Sequence, residues 1–326
     1  MRGQKNIWLL AFLVGQLLLI AIVYWPKSGE SQAGKILADL SPAAVDGLSI
    51  SDADNNRVEL VKEEGVWQVR LADKSLYPAE KNKVERLLEK LAGLDRGRLV
   101  SSAPTTRRRF EVADDHFSRR LALKKGGEET VIFLGSSPGY RKIHLRRGDE
   151  DGIYLVRELA AWEAATKAAS WWQRNYLDYD PAKITSLRVK NSHGEFVLNR
   201  AKAKSPWQMA GGKALDQGKT KSVIDELCRL TISDLVIDKA YRPKGQAIAT
   251  LEIEGGVGKV VMSVWDKEKK DGDYLVKLDN NDHYARAAAY AVKRLLSAES
   301  AGLVAGEKPG DAAGKGQDSF IRPALK

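Results

Sequence analysis

The chain has 326 residues, enough for roughly two domains of ordinary size, so neither a metal nor a disulfide is needed to complete a core. Hydrophobic residues make up 43% and charged residues 29%, which excludes a wholly disordered chain and fits a folded, well-solvated one. The single cysteine, Cys228, excludes an intramolecular disulfide, no Cys/His grouping has zinc spacing, and the formal charge is +10.

The first predicted element is a transmembrane helix over residues 7–25, after a cytoplasmic tail over 1–6. The run IWLLAFLVGQLLLIAIVYW carries no charge and one amide, Gln16. As a helix it spans about 28 Å, close to the hydrocarbon thickness of a bilayer. Trp8, Tyr24 and Trp25 sit where interfacial aromatics belong, and Pro26 stops the helix. Arg2, Lys5 and the free amino terminus outweigh Lys27 and Lys35, which places the amino terminus inside. The expected location is therefore the cytoplasmic (inner) membrane, single-pass, with the bulk of the chain periplasmic. A cleaved signal peptide processed near residues 31–33 is the rival, and the length of the apolar run argues against it.

After a linker over 26–44, the chain repeats itself. VDGLSI (45–50), RVELVKEEGVWQV (57–69) and VERLLEKLAGL (84–94) are echoed by ITSLRV (184–189), EFVLNRAKAKSPWQM (195–209) and VIDELCRL (223–230). Trp67 matches Trp207 and Leu88 matches Leu227 at a separation of about 139 residues, the mark of one duplication. Alternating apolar residues predict short antiparallel strands, and Val84, Leu87, Leu88, Leu91 and Leu94 recur at helical spacing. Cys228 lies among Val223, Ile224, Leu227 and Leu230 and reads as a small core hydrophobe.

Further strands are predicted at 119–125, 130–135, 140–145 and 152–156, and again at 249–254, 259–265, 273–278 and 283–286. Each half is expected to end in an alanine-rich helix, over 157–172 and over about 285–296. The fold class predicted is α+β: a transmembrane helix followed by two tandem duplicated domains, 45–175 and 176–297, of mainly antiparallel sheet with amphipathic helices. WWQRNYLDYDPAK (171–183) joins the halves, either as a hinge pinned by buried aromatics or as an exposed aromatic platform. The tail over 298–326 turns to Ala, Gly, Lys and Asp and is expected to be disordered.

Charge concentrates in one stretch. Between Arg96 and Arg147 stand thirteen Lys/Arg and five Asp/Glu, including the clusters Arg107, Arg108 and Arg109, then Arg119 and Arg120, then Arg146 and Arg147. These are either a solvated strand-and-loop face or a binding surface for an anionic partner such as lipid headgroups or envelope polymer. Nucleic acid is not an expected partner, since no nucleic-acid module is recognisable. Gly135-Ser136-Ser137-Pro138-Gly139 fits the G-x-S-x-G pattern, but Pro138 and the strand after it deny the helix that a nucleophile elbow needs. Residues 255–259 (GGVGK) lack the spacing of a phosphate loop. Residues 114–116 and 279–283 match no metal motif, and both read as polar turns.

The GVWQV and SPWQM signatures, the IYLV strand (153–156) and QRNYLDYDPAKITSLRV (173–189) resemble the bacterial domain-of-unknown-function family numbered 4340, over most of residues 45–296. HYARAAAY (283–290) departs from the IYLV pattern at the corresponding strand of the second half. The resemblance implies a membrane anchor and partners among an ABC-type ATPase, its permease and an auxiliary subunit similar to the gliding-motility component. It implies no catalytic residue, metal or cofactor. The expected function is a non-catalytic, membrane-anchored extracytoplasmic accessory or scaffold subunit of an ABC-transporter-type complex. An envelope hydrolase using Ser137 and a polyanion-binding protein using the arginine clusters are the alternatives.

Overall fold

A computed structural model describes residues 15–16 and 34–306, apart from 257. The chain divides into two compact units. Met1–Arg70 with Pro78–Trp171 form the first, and Leu71–Tyr77 with Trp172–Lys326 form the second.

The first unit is built on antiparallel strands at Gly47–Ser51 (β1), Arg57–Glu63 (β2), Val66–Arg70 (β3), Arg98–Ser101 (β4), Arg119–Lys125 (β5), Glu128–Leu134 (β6), Lys142–Arg147 (β7) and Ile153–Arg157 (β8). These eight strands of its sheet run in the order β3-β2-β1-β5-β6-β7-β8-β4. Alternation decides which face is buried: Leu48, Ile50, Val58, Leu60, Trp67, Val69, Leu121, Leu123, Ile132, Leu134, Ile143 and Leu145 are all core residues. Helix α1, Lys81–Gly93, lies between β3 and β4 in the chain and buries Val84, Leu87, Leu88 and Leu91. That stripe, with spacings of three and four residues, is the face an amphipathic helix turns to a core. On another side of the sheet a smaller core of Val112, Phe133 and Ile153 is covered by Phe110 and Phe117.

The second unit repeats this plan. Ile184–Asn191 (β9), Gly194–Asn199 (β10), Gln208–Met209 (β11), Asp234–Val236 (β12), Ala249–Gly255 (β13), Gly258–Trp265 (β14), Tyr274–Leu278 (β15) and Tyr284–Ala287 (β16) form one sheet. Its order is β11-β10-β9-β13-β14-β15-β16-β12, which is the first unit's order strand for strand. Register agrees as well. Leu48 pairs with Leu60 and Leu123, and their counterparts Leu187, Leu198 and Ile253 pair in the same way. Helix α2, Gln217–Leu227, is capped by Asp216, whose carboxylate accepts from the Lys219 amide at 3.0 Å. Helix α3, Ala289–Ser297, packs on β9 and β13.

Several expectations are corrected. The fold is predominantly antiparallel sheet with few helices, not the α+β class expected: the helices named above have 13, 11 and 9 residues. Among the described residues no helix is long and apolar enough to cross a membrane. The segment 7–25 lies outside the described residues except for Gly15 and Gln16. The alanine-rich helix expected over 157–172 is absent, and its place is taken by 3-10 turns at Ala161–Glu163 and Ala168–Ser170.

Tertiary partners take the carbonyls that a helix there would use. Arg119 Nε donates to the Ala164 carbonyl at 3.1 Å, and the Trp171 indole donates to the Ala165 carbonyl at 2.8 Å. Thr166 donates its hydroxyl to Asp52 at 2.8 Å, and Leu159, Ala164, Thr166 and Trp171 are buried. Helix α3 starts later than expected, after β16. Packed chain continues to Leu303 and Val304, which are buried in the stretch read as tail, and it begins before residue 45, where Ile36 and Leu37 are core residues. Trp171 and Trp172 are 0% and 4% exposed, so the aromatic run at the junction is buried and forms no open platform.

Candidate functional site

The predicted arginine clusters do not form one charged face. Adjacent residues on a strand point to opposite faces, so Arg119 parts from Arg120 and Arg146 from Arg147. Arg146 is 1% exposed. Its Nε donates to the Val112 carbonyl at 2.8 Å, it pairs with Asp114 at 3.1 Å, and its guanidinium lies 4.5 Å from the Phe133 ring centroid. Arg147 is held between Asp39 and Asp149 at 2.8 Å each; those hydrogen bonds raise its pKa and hold both carboxylates below the usual range. Arg107 pairs with Asp151, Arg108 with Asp115 at 2.9 Å and Arg120 with Glu129 at 3.2 Å. Arg119 is spent on the carbonyls of Ser118 and Ala164, and Arg109 lies over the ring of Phe110. Of these arginines Arg146 alone is buried, and it braces the loop over 104–118 from beneath.

Cations without such partners stand elsewhere on the same sheet. A cleft of about 860 Å³ is lined by Arg98, Lys142 and Arg157 together with Lys90, Asp95 and Glu158. Lys142 and Arg157 are paired directly across β7 and β8, and Arg98 faces Leu155, two residues from Arg157. The three therefore share a sheet face. All three are exposed, and among the described residues no carboxylate pairs with them. The acidic residues of the rim are engaged: Asp95 binds Lys35 at 2.9 Å, and Glu158 binds Arg141 at 3.3 Å. Gly97 makes the approach of β4 possible. Its φ is +63°, and a Cβ there would lie 2.3 Å from the Leu155 carbonyl oxygen.

A second cleft, of about 410 Å³, shares Lys90 and is lined by Lys83, Arg86, Leu87, Trp162 and Glu163. Lys90 and Glu163 form an ion pair across it, and Glu163 also accepts from the Ala160 amide at 3.1 Å. Trp162, in the turn between those groups, is 75% exposed. Neither Trp162 nor Arg98 and its two neighbours is evident as a site in the sequence. Trp162 reads there as one residue of a predicted helix, and Arg98 opens a four-residue strand too short for alternation to announce.

Residues 67–247, more than half of the chain, match the family described as Domain of unknown function (DUF4340). The chain belongs to this family. Neither the curated proteins nor the solved structures include a match to it. The DUF4340 match starts at Trp67 in the first unit and ends in the second, before β13, so it takes in both α1 and α2.

In this DUF4340 chain the candidate serine, Ser137, is held by backbone. Ser137 Oγ donates to the carbonyl of Lys142 at 2.6 Å and lies 3.0 Å from that of Gly139, closing the turn between β6 and β7. The histidine nearby faces Ser136 instead: His144 Nδ1 lies 3.0 Å from Ser136 Oγ and 2.9 Å from the Ser136 carbonyl. A nitrogen donating to that carbonyl is protonated and cannot take the hydroxyl proton. In the second unit, His283 Nε2 lies 3.1 Å from Ser75 Oγ, which donates its proton to Asp73. His283 in turn is fixed by its backbone, with its amide on Asn281 at 2.9 Å and its carbonyl accepting from Tyr176 at 2.6 Å. Both arrangements secure turns. Cys228 is fully buried, and burial pushes its thiol up to about 12, the behaviour of a core residue. Among the described residues no group of His, Cys, Asp and Glu is arranged to hold a metal ion.

These two histidines set a pH dependence. Burial lowers the pKa of each below the ordinary value; at His144 the hydrogen bond to the Ser136 backbone opposes this and Arg98 reinforces it, while Asp73 and Asp282 oppose it at His283. The folded state therefore favours the neutral rings, and the unfolded chain binds more protons once pH falls below about 6.5. Their contribution is fully present above that pH and is lost as pH drops through the folded pKa values. The expected result is a lower melting temperature at pH 5 than at pH 7. Replacing both by glutamine should flatten the curve over that window, whatever it does to its height; an unchanged slope would refute the assignment.

Proposed function

We propose that this chain is a non-catalytic accessory subunit of an extracytoplasmic, ABC-transporter-type assembly, and that it docks its protein partner through the first unit at Trp162. The observation that carries the reading is the presentation of that side chain. A tryptophan 75% exposed on the wall of a cleft, its turn held by Glu163 and Lys90, offers a large apolar surface for a partner to cover. Tryptophan is among the residues that most often anchor protein interfaces. The partner class, a permease or its auxiliary subunit, comes from the family resemblance and from nothing in the geometry.

The test is affinity purification of the tagged full-length chain from detergent-solubilised cells, with co-purifying proteins identified by mass spectrometry. The wild-type chain should retain transporter subunits, and Trp162→Ala should reduce their recovery at least about tenfold, since truncating such an anchor costs about 2 kcal/mol or more. Because Trp162 contributes little to the core, the variant should melt where the wild type does. Full retention of those subunits by a folded Trp162→Ala variant would reject this docking point.

A further inference from the structure

The cleft of Arg98, Lys142 and Arg157 lies outside what docking at Trp162 requires, and its charges are unbalanced. Lys142 and Arg157 are directly opposite each other on β7 and β8, a position where like charges repel. Other arginines of this unit have carboxylate partners: on the sheet Arg120 has Glu129 and Arg147 has Asp39 and Asp149, and in the loop before β5 Arg107 has Asp114 and Asp151.

Cover explains part of the contrast. Lys142, His144 and Arg146 alternate onto one face of β7. The loop before β5 closes over the last two, with the Phe110 ring 4.6 Å from His144 and the Val112 carbonyl on Arg146. Lys142 projects beyond that cover into the cleft. The backbone at its mouth is held in an uncommon conformation: Arg141, just before Lys142, and Glu158, just after Arg157, have φ of +49° and +67°. They are joined by the Glu158 amide donating to the Arg141 carbonyl at 2.9 Å. Strain of this kind in non-glycine residues gathers where side chains must be aimed. Here it directs Glu158 to Arg141 and leaves the two cations to the cleft.

We propose that this cleft binds a phosphate-bearing ligand. Three positive side chains match the two or more negative charges of a phosphomonoester or diphosphate. Two of the three are arginines, whose planar forks bind phosphate oxygens in pairs. The space, about 860 Å³, exceeds what a lone phosphate fills, and Leu94 and Leu155 on its lining accept the organic part of the molecule. The phosphate is presented either by a free phosphorylated compound or by an anionic lipid headgroup.

The test uses the purified full-length chain with two probes. Inorganic pyrophosphate is titrated by calorimetry, and flotation is measured with phosphatidylcholine vesicles with and without phosphatidic acid. Binding to at least one probe is expected, falling as salt rises. The double variant Lys142→Gln/Arg157→Gln should weaken it about tenfold or more, the scale of losing charge-assisted hydrogen bonds. Arg108→Gln/Arg109→Gln, which removes the same net charge outside the cleft, should bind as the wild type does. Response to the vesicles alone identifies a headgroup, and response to pyrophosphate identifies a ligand that need not be in a membrane. The double variant should melt no lower than the wild type, because a repulsion is relieved; if it fails to melt cooperatively, Arg98→Gln serves in its place. Absence of binding to both probes, or equal weakening by the two double variants, would overturn the proposal.

Discussion

Trp67→Ala is expected to destabilise the protein by about 3–5 kcal/mol, the usual cost of removing a large buried aromatic and leaving its cavity. Trp67 is 1% exposed, on a strand whose neighbour Val66 is 54% exposed, so the contrast is built into one dipeptide. The indole side of β3 faces the core, and the Trp67 carbonyl accepts from the Ala79 amide at 2.8 Å as the chain turns towards α1. Deletion therefore opens a void where sheet and helix meet. Val66→Ala should stay within about 0.5 kcal/mol of the wild type. Urea denaturation checks both: the midpoint should fall sharply for the first with the slope unchanged, and hardly at all for the second. Trp207, at the equivalent place in the second unit, is 7% exposed and has the Arg200 guanidinium 4.5 Å from its ring centroid. A loss of comparable size is expected from Trp207→Ala, and a small loss at either position would deny that the two tryptophans fill equivalent cores.

Arg146→Ala should cost about 2–4 kcal/mol, far more than any other change in the arginine clusters. Removing it strands the Val112 carbonyl, ends the pairing with Asp114 and strips the face of Phe133. A buried acceptor left without its donor costs about 1–3 kcal/mol, and the lost stacking adds to that. Arg146→Lys should recover less than half, because one ammonium cannot reach a carbonyl, a carboxylate and a ring in the geometry a guanidinium spans. Arg108→Ala provides the contrast. Its pair with Asp115 has both side chains more than 60% exposed, and exposed pairs contribute little. Thermal melts of the three variants decide the matter; equal losses for Arg146→Ala and Arg108→Ala would mean that the cluster is a solvated face after all.

Much of the architecture was legible without coordinates, because burial on one side of a strand or helix leaves a local period. Alternation located the strands at 119–125 and 249–254 to within a residue of β5 and β13, and spacings of three and four marked α1. The offset of about 139 residues between matched positions pointed to a duplication, and the eight strands named in each sheet follow the same order. Alanine content misled over residues 157–172. Helix propensity is worth a few tenths of a kcal/mol per residue, and the bonds from Arg119, Thr166 and Trp171 outweigh it there.

The candidate site shows the same division. Counting charges found the arginine-rich stretch but not which charges are free, since that depends on carboxylates distant in the chain: Asp39 reaches Arg147 across 108 residues, and Lys35 takes Asp95 across 60. Arg98, Lys142 and Arg157 come together only because β4 returns from α1 to the outer edge of β8. A four-residue strand carries too little pattern to announce itself, and its partner is chosen by the closing of the sheet. The sequence by itself determined where the apolar faces are and that the plan occurs twice. Tertiary structure alone decided which cations are neutralised, which stay open to a ligand, and that Trp162 stands in solvent, because each of these depends on what folds back over a residue and not on its neighbours in the chain.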